Sequence, residues 1–314
     1  MPDEHILPGI IAELLAARDR AKQTDNAPLS QAIKIIMNSF YGVLGTTSCR
    51  FFSAEVASTI TGTGQYILRE TSAHIEQTSG CPVIYGDTDS LFVLLGAGQE
   101  RVAVQRASDI ADEVNQWLRS QIQARFGAES ALLLQCERHF RYFFMPTIRG
   151  STQGSKKRYC GALERDDGSL QLVFKGLESA RTDWTDLAQQ IQHELYMRMF
   201  TQQPVEQYVA ETVAAVRRGQ LDDMLVYRKR VRKPLSEYTH NIPPHVKAAQ
   251  LLETPPQVVA YVITRNGPQP VEQRTAALDY EHYITTQIRP VFEQIAEWSG
   301  TSWEEIMTGQ QSLF

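Results

Sequence analysis

Val83-Ile84-Tyr85-Gly86-Asp87-Thr88-Asp89-Ser90-Leu91-Phe92-Val93-Leu94-Leu95 sets two short apolar runs on either side of a polar tip. Such a pair reads as an antiparallel hairpin. Its tip carries Asp87 and Asp89, two residues apart. In an extended chain that spacing turns both side chains to one side. Adjacent carboxylates repel, so the pair needs a cation or protons nearby. Hard oxygen donors suit magnesium. An Asx turn also explains aspartates at a tip. A calcium loop does not: its sixth and twelfth positions require Gly and Glu, and here they hold Phe92 and Gly98.

Upstream of the hairpin the apolar period is helical. Residues 6–20 pattern Ile6, Ile10, Leu14 and Leu15 against Glu13, Arg18 and Asp19. After a polar break, Asn26 is placed to cap a second helix and Pro28 to sit in its first turn, with the helix running to about Leu44. Residues 55–78 read as a third helix. Downstream, a helix is expected from about Gln99 to Gln123, then strands at Leu132–Leu134 and Tyr142–Met145. A second hairpin is expected at Tyr159–Leu163 and Leu170–Phe174, around Asp166-Asp167-Gly168. Past Arg181 helical patterns dominate, at 185–201, 204–218, 220–226 and 278–298, while 234–275 is proline-rich and reads as irregular. The fold class is therefore α+β: a mixed unit up to about residue 181, then a mostly helical one.

Within the second helix Lys34, Asn38 and Tyr41 recur at i, i+4 and i+7, which makes one stripe. Ile33, Ile36, Met37 and Phe40 form the apolar stripe expected to be buried opposite it. The polar stripe offers a cation, an amide and a ring. A lysine there can hold a triphosphate as a point charge, and Gly42 after Tyr41 allows a flat base pair to approach the backbone. A solvated face of a core helix would have the same pattern.

Bulk properties narrow the class without deciding it. A chain of 314 residues is ample for a sizeable core. The formal charge of −5 argues against a surface coated in nucleic acid, though not against a local basic groove. Cys49, Cys81, Cys136 and Cys160 are widely spaced with no CxxC pair, which argues against structural zinc and for free thiols in a reducing compartment. No apolar run is long enough to span a membrane, and Met1-Pro2-Asp3-Glu4-His5 does not open a signal peptide. A cytoplasmic protein is expected. His193-Glu194 does not begin a zinc-protease motif, because Met197 stands where the second histidine belongs. Thr61-Gly62-Thr63-Gly64 lacks a dinucleotide-binding context.

Two segments together carry a resemblance. Lys34-Ile35-Ile36-Met37-Asn38-Ser39-Phe40-Tyr41-Gly42 resembles the K-x3-N-S-x-Y-G motif on the fingers helix of family B DNA polymerases, and Tyr85-Gly86-Asp87-Thr88-Asp89-Ser90 matches that family's palm motif Y-G-D-T-D-S. Their order and separation also fit. Lys156-Lys157-Arg158-Tyr159 resembles the K-K-x-Y motif that contacts the primer-template duplex. Phe174-Lys175-Gly176-Leu177-Glu178, with Arg181, resembles the passage from palm to thumb. The run Arg228, Lys229, Arg230, Arg232 and Lys233 resembles a basic thumb segment of bacterial members.

The resemblance implies fingers helices over 1–50, palm over 51–181, and thumb with a clamp-binding tail over 182–314. It implies template-directed transfer of a nucleotide from a dNTP to a primer 3′-hydroxyl with two Mg2+ ions. Asp89, with Asp87 beside it, would be catalytic and ligate metal. Lys34, Asn38 and Tyr41 would face the nucleotide. Lys156, Lys157, Arg158, Tyr159 and the basic run would hold DNA. The terminal Gln310-Gln311-Ser312-Leu313-Phe314 resembles the peptide that binds the bacterial sliding clamp, with Gln310, Leu313 and Phe314 as anchors; a frayed tail is the plain alternative.

The family's earlier palm motif, D-x-x-S-L-Y-P-S, supplies another metal-binding aspartate and has no counterpart here, nor does the proofreading exonuclease. This chain alone is therefore expected to polymerise poorly. Either a separate chain carrying the exonuclease and first palm motif completes it, or it is a truncated, non-catalytic module that binds DNA and clamp.

Overall fold

The computed structural model describes residues 6–96, 102–147, 154–181 and 184–309. The chain divides into two compact units, Met1–Cys136 and Glu137–Phe314. Helices and small antiparallel sheets occur in both, so the α+β expectation holds. This partition differs from the fingers, palm and thumb ranges drawn from the resemblance: position 181 lies inside the second unit.

The first unit opens with helices α1 (Ile6–Gln23), α2 (Ala27–Leu44) and α3 (Ala54–Ser79). Asn26 caps α2 by accepting the Leu29 amide at 3.1 Å, and Ser53 caps α3 by accepting the Val56 amide at 3.2 Å. Gly80 ends α3 in the left-handed region, where a glycine avoids the Cβ penalty. Strands β1 (Val83–Asp87) and β2 (Ser90–Val93) form the expected hairpin, and α4 (Ala103–Phe126) follows. Ile75 of α3 and Val114 and Leu118 of α4 make a small core, against which Val83, Leu91 and Val93 of the hairpin pack.

Leu132–Leu134 is not a strand. The Asn115 side chain takes the place of a strand partner. Its Nδ2 donates to the Leu134 carbonyl at 2.9 Å, and its Oδ1 accepts the Leu134 amide at 2.8 Å. One buried amide thus satisfies both backbone groups that a ladder would have paired.

The second unit begins with a three-stranded antiparallel sheet of β3 (Tyr142–Phe144), β4 (Tyr159–Glu164) and β5 (Leu170–Lys175), in that order. Helices α5 (Asp186–Phe200) and α6 (Glu206–Arg217) follow. The segment expected to be helical at 220–226 holds one 3-10 turn, Asp222–Leu225. The stretch expected to be irregular, 234–275, contains regular structure. Strand β6 (Tyr227–Arg230), helix α7 (Pro244–Ala249) and strands β7 (Val258–Thr264) and β8 (Gly267–Pro270) build a second sheet of order β6-β7-β8. Three of its prolines are placed where they do no harm: Pro244 opens α7, and Pro268 and Pro270 lie on an outer strand, where missing amide donors are tolerated.

The long helix expected over 278–298 is broken. Short helices α8 (Tyr280–Tyr283), α9 (Arg289–Phe292) and α10 (Ala296–Ser299) replace it, with a π turn at Ile284–Ile288. Pro290 has no amide hydrogen and crowds the carbonyl one turn back, and the widened turn before it absorbs that conflict. Helix α11 (Trp303–Thr308) closes the described chain on a capping box between Ser302 and Glu305. Tyr196, Tyr283, Phe292, Leu195, Ile191 and Ile288 are all fully buried in one continuous core that includes Val259 and Val262 of β7.

Candidate active site and nucleic-acid interface

The tip of the first hairpin is a tight turn. Asp87 closes β1 opposite Ser90 of β2, leaving Thr88 and Asp89 between them. The Asp89 amide donates to the Asp87 carbonyl at 2.7 Å, an i to i+2 bond that makes Thr88 the centre of a three-residue turn. Thr88 adopts φ +58°, which is unfavourable for a β-branched residue. Asp89 therefore reaches the tip through a turn and not through the extended alternation that its spacing suggested. Asp87 is half-buried and Asp89 exposed. Thr88 Oγ1 donates to Asp87 Oδ1 at 3.1 Å, and Ser90 Oγ to Asp89 Oδ1 at 3.2 Å, so each carboxylate has a neighbouring hydroxyl. Below the tip the Tyr85 and Phe92 rings meet at 5.4 Å.

Both carboxylates are hard donors of the kind a small divalent cation takes. Among the described residues no group of three His, Cys, Asp or Glu side chains converges on one point. Asp87 and Asp89 alone would under-fill a six-coordinate ion, so the remaining ligands must be substrate oxygens, water or an acidic group outside this set.

On α2, Ile33 is buried and Met37 and Phe40 are half-buried, while Ile36 stays 49% exposed. Ile36 thus leaves the buried stripe to which the sequence assigned it. Lys34, Asn38 and Tyr41 are exposed together on one flank. At 3.6 residues per turn that flank lies about 90° around the helix from the buried line, beside it and not opposite it.

In the second unit, Lys156 and Lys157 form an exposed turn before β4. Lys157 has φ +63°, and the Arg158 amide donates to the Ser155 carbonyl at 3.4 Å. Gly176, itself at φ +61°, sits so close that a Cβ there would overlap the Lys157 carbonyl. The sequence marked Gly176 only as part of a connecting segment; its signal was a lone glycine directly after a strand. Tyr159 starts β4 opposite Lys175. Arg158 differs from the lysines in having an acidic partner within the unit: its side chain is 37% exposed, and its Nη2 donates to Glu178 Oε1. The basic run 228–230 is an outer strand, β6, with Arg228, Lys229 and Arg230 all exposed. Arg228 Nη1 lies 3.3 Å from Asp186 Oδ2, and Arg232 and Lys233 beyond the strand are exposed too. Gln310, Leu313 and Phe314 lie outside the described residues.

These features belong to one protein class. Residues 2–297 match the model of DNA polymerase family B, and the chain belongs to that family. It is 49% identical to DNA polymerase II of Escherichia coli K12 over 99% of its own length and 41% of that protein. It is 24% identical to a DNA polymerase of Thermococcus gorgonarius over 96% of its length and 40% of the relative. The solved family B DNA polymerase of Pyrobaculum calidifontis aligns at a TM-score of 0.56 and 25% identity, covering 93% of this chain and 38% of that one. The chain thus spans about two-fifths of the length of the relatives it matches. Among the described residues no helix is long and apolar enough to cross a membrane.

Proposed function

We propose that this chain is the rear, catalytic portion of a DNA-directed DNA polymerase and adds deoxynucleotides to a primer 3′-hydroxyl. One observation carries the reading. The two most specific family signatures lie on exposed, locally constrained features of one unit: the Lys34/Asn38/Tyr41 flank and the Thr88-centred turn bearing Asp87 and Asp89. A β-branched residue held at positive φ is local strain of the kind that collects at functional sites.

In this reading Lys34 and Asn38 bind the triphosphate, Lys34 as a point charge and Asn38 through its amide. Tyr41 packs against the nascent base pair, whose backbone approach Gly42 permits. Asp89 and Asp87 hold Mg2+, which when bound lowers the pKa of the attacking hydroxyl and neutralises charge on the transferring phosphate. Lys156, Lys157 and Tyr159 grip the primer-template near its growing end. Arg228, Lys229, Arg230 and Arg232 neutralise duplex phosphates, making binding salt-dependent. Gln310, Leu313 and Phe314 dock into a sliding clamp, with the apolar pair filling a pocket. The protein works at the nucleoid in the bacterial cytoplasm.

The acidic partner of the first palm motif has to come from outside these 314 residues. Primer extension tests this. The chain alone is expected to extend poorly. Added polypeptide carrying the exonuclease and first palm motif should restore extension, and Asp89→Asn should then lower the rate by about 10²–10³-fold, the scale for losing one transition-state-stabilising group. Robust extension by the pure 314-residue chain would overturn the incomplete-site reading.

A further inference from the structure

The passage after β5 contains a buried carboxylate that the proposed chemistry does not use. Glu178 is only 6% exposed. Its Oε1 accepts Arg158 Nη2, and its Oε2 accepts Gln192 Nε2 and Gln294 Nε2, both at 2.8 Å. Gln192, fully buried, turns its own oxygen to the Ser179 amide at 2.6 Å. The Tyr196 hydroxyl donates to Gln294 Oε1 at 2.9 Å. Burial, the largest influence on Tyr196, holds its pKa well above the ordinary phenol value, so it remains a donor. Each carboxylate oxygen is thereby matched to a donor, and Arg158 brings a cation to Oε1.

Only the carboxylate of this pair is buried, Arg158 being 37% exposed, and desolvating a charge is costly enough that apolar groups of similar shape often replace such pairs without loss of stability. Stability alone is therefore a poor account of this network. Its placement offers a better one. Arg158 directly follows Lys156 and Lys157, and Gly176, two residues before Glu178, abuts the Lys157 carbonyl. The turn is thus clamped from one segment in two ways, through backbone contact at Gly176 and through an ion pair at Glu178. Helix α5 and the chain near Gln294 hold that segment in turn.

We propose that Glu178 is a positioning residue for DNA binding: by holding Arg158 it fixes the Lys156-Lys157 turn in the orientation that meets the phosphates of the primer-template duplex. Arg158 then acts inward as the lever and not as a phosphate contact. This rests on the DNA-gripping role proposed above for the two lysines.

Fluorescence anisotropy of a labelled primer-template duplex, titrated with the whole chain across a salt series, tests the proposal. Replacing both lysines (Lys156→Ala with Lys157→Ala) examines the underlying role and should flatten the salt slope by about two units if two phosphate contacts are lost. Glu178→Gln removes the charge but keeps the shape. It should weaken binding about tenfold near 0.1 M salt and flatten the slope by one to two units, as lost phosphate contacts do. If that variant fails to unfold cooperatively in urea, the charge-balanced pair Glu178→Gln/Arg158→Met carries the test. Adding the Glu178 change to the lysine changes should weaken binding no further, because it acts through them. A flattened slope in the lysine variant with an unchanged slope in the Glu178 variants would overturn the positioning role alone. Additive losses would overturn it as well. An unchanged slope in the lysine variant would overturn the DNA role of the turn, and the positioning role with it.

Discussion

The two units treat their apolar side chains differently. In the second, α5, α6, β7 and the broken C-terminal helices close over one continuous core, and Tyr196, Tyr283 and Phe292 have no exposed surface. In the first, the buried cluster centres on Ile75, Val114 and Leu118, while Leu29, Ile35, Ile36 and Val43 of α2 and Phe51 and Phe52 beyond it are exposed. Leu29, Ile36 and Val43 recur every seven residues, so they share one face. An exposed apolar stripe marks a surface that expects a covering partner. The difference teaches that residues proposed for nucleotide and metal sit on a scaffold with little core of its own, while residues proposed to hold DNA include a group built into a complete one.

The largest effect should come from breaking the second core. Phe292→Ala is expected to cost about 3–5 kcal/mol, and Trp303, whose ring lies 6.0 Å from Phe292, gives a fluorescence readout of urea unfolding. A cost below about 1 kcal/mol would show that this core collapses around the gap, and the contrast between the units would weaken.

A somewhat smaller loss should appear at alkaline pH. Burial raises the phenols of Tyr196, Tyr227 and Tyr283 above their ordinary 10.0. The folded state thus favours the protonated form. Its stabilisation is fully present below pH 10 and is lost as pH rises above the unfolded value towards the folded one. Urea midpoints of the second unit should therefore fall from about pH 10 upward. A flat profile would mean those rings ionise without unfolding.

The smallest of the three belongs to the first unit. Asn115→Ala removes both bonds to Leu134 and leaves two backbone groups unsatisfied, at about 1–3 kcal/mol. Hydrogen exchange should report the loss at Leu134 and through α4, leaving protection in the second unit intact. Equal loss in both units would show that they unfold as one.

Much of the helical framework was legible because its signals are local. Apolar period, the Asn26 cap and Pro28 in the first turn of α2 are read within a turn of where they act. What was hidden depends on distant partners. The sheet β6-β7-β8 went unseen because prolines dominate 234–275 and cations disguise β6, although Val258–Thr264 is rich in β-branched residues. Leu132–Leu134 looked like a strand because nothing in the triplet announces an asparagine on α4. The candidate site divides the same way. Lys34, Asn38 and Tyr41 could be placed on one flank from spacing alone, but the pairing of Glu178 with Gln294, 116 residues away, leaves no local mark, and the local Thr88 turn was missed because a β-branched residue does not signal positive φ.

The sheet β6-β7-β8 ends in two outer strands, and each is defended in its own way. Strand β8 carries Pro268 and Pro270, which deny amide donors to an incoming strand. Strand β6 carries Arg228, Lys229 and Arg230, whose like charges would meet their own copies if two molecules paired edge to edge. The same cations are proposed to meet duplex phosphates, and in that reading they would serve solubility as well as binding. Variants that neutralise β6 to weaken DNA binding also strip the sheet of its guard, and such a protein would be lost to self-association before it was lost to DNA.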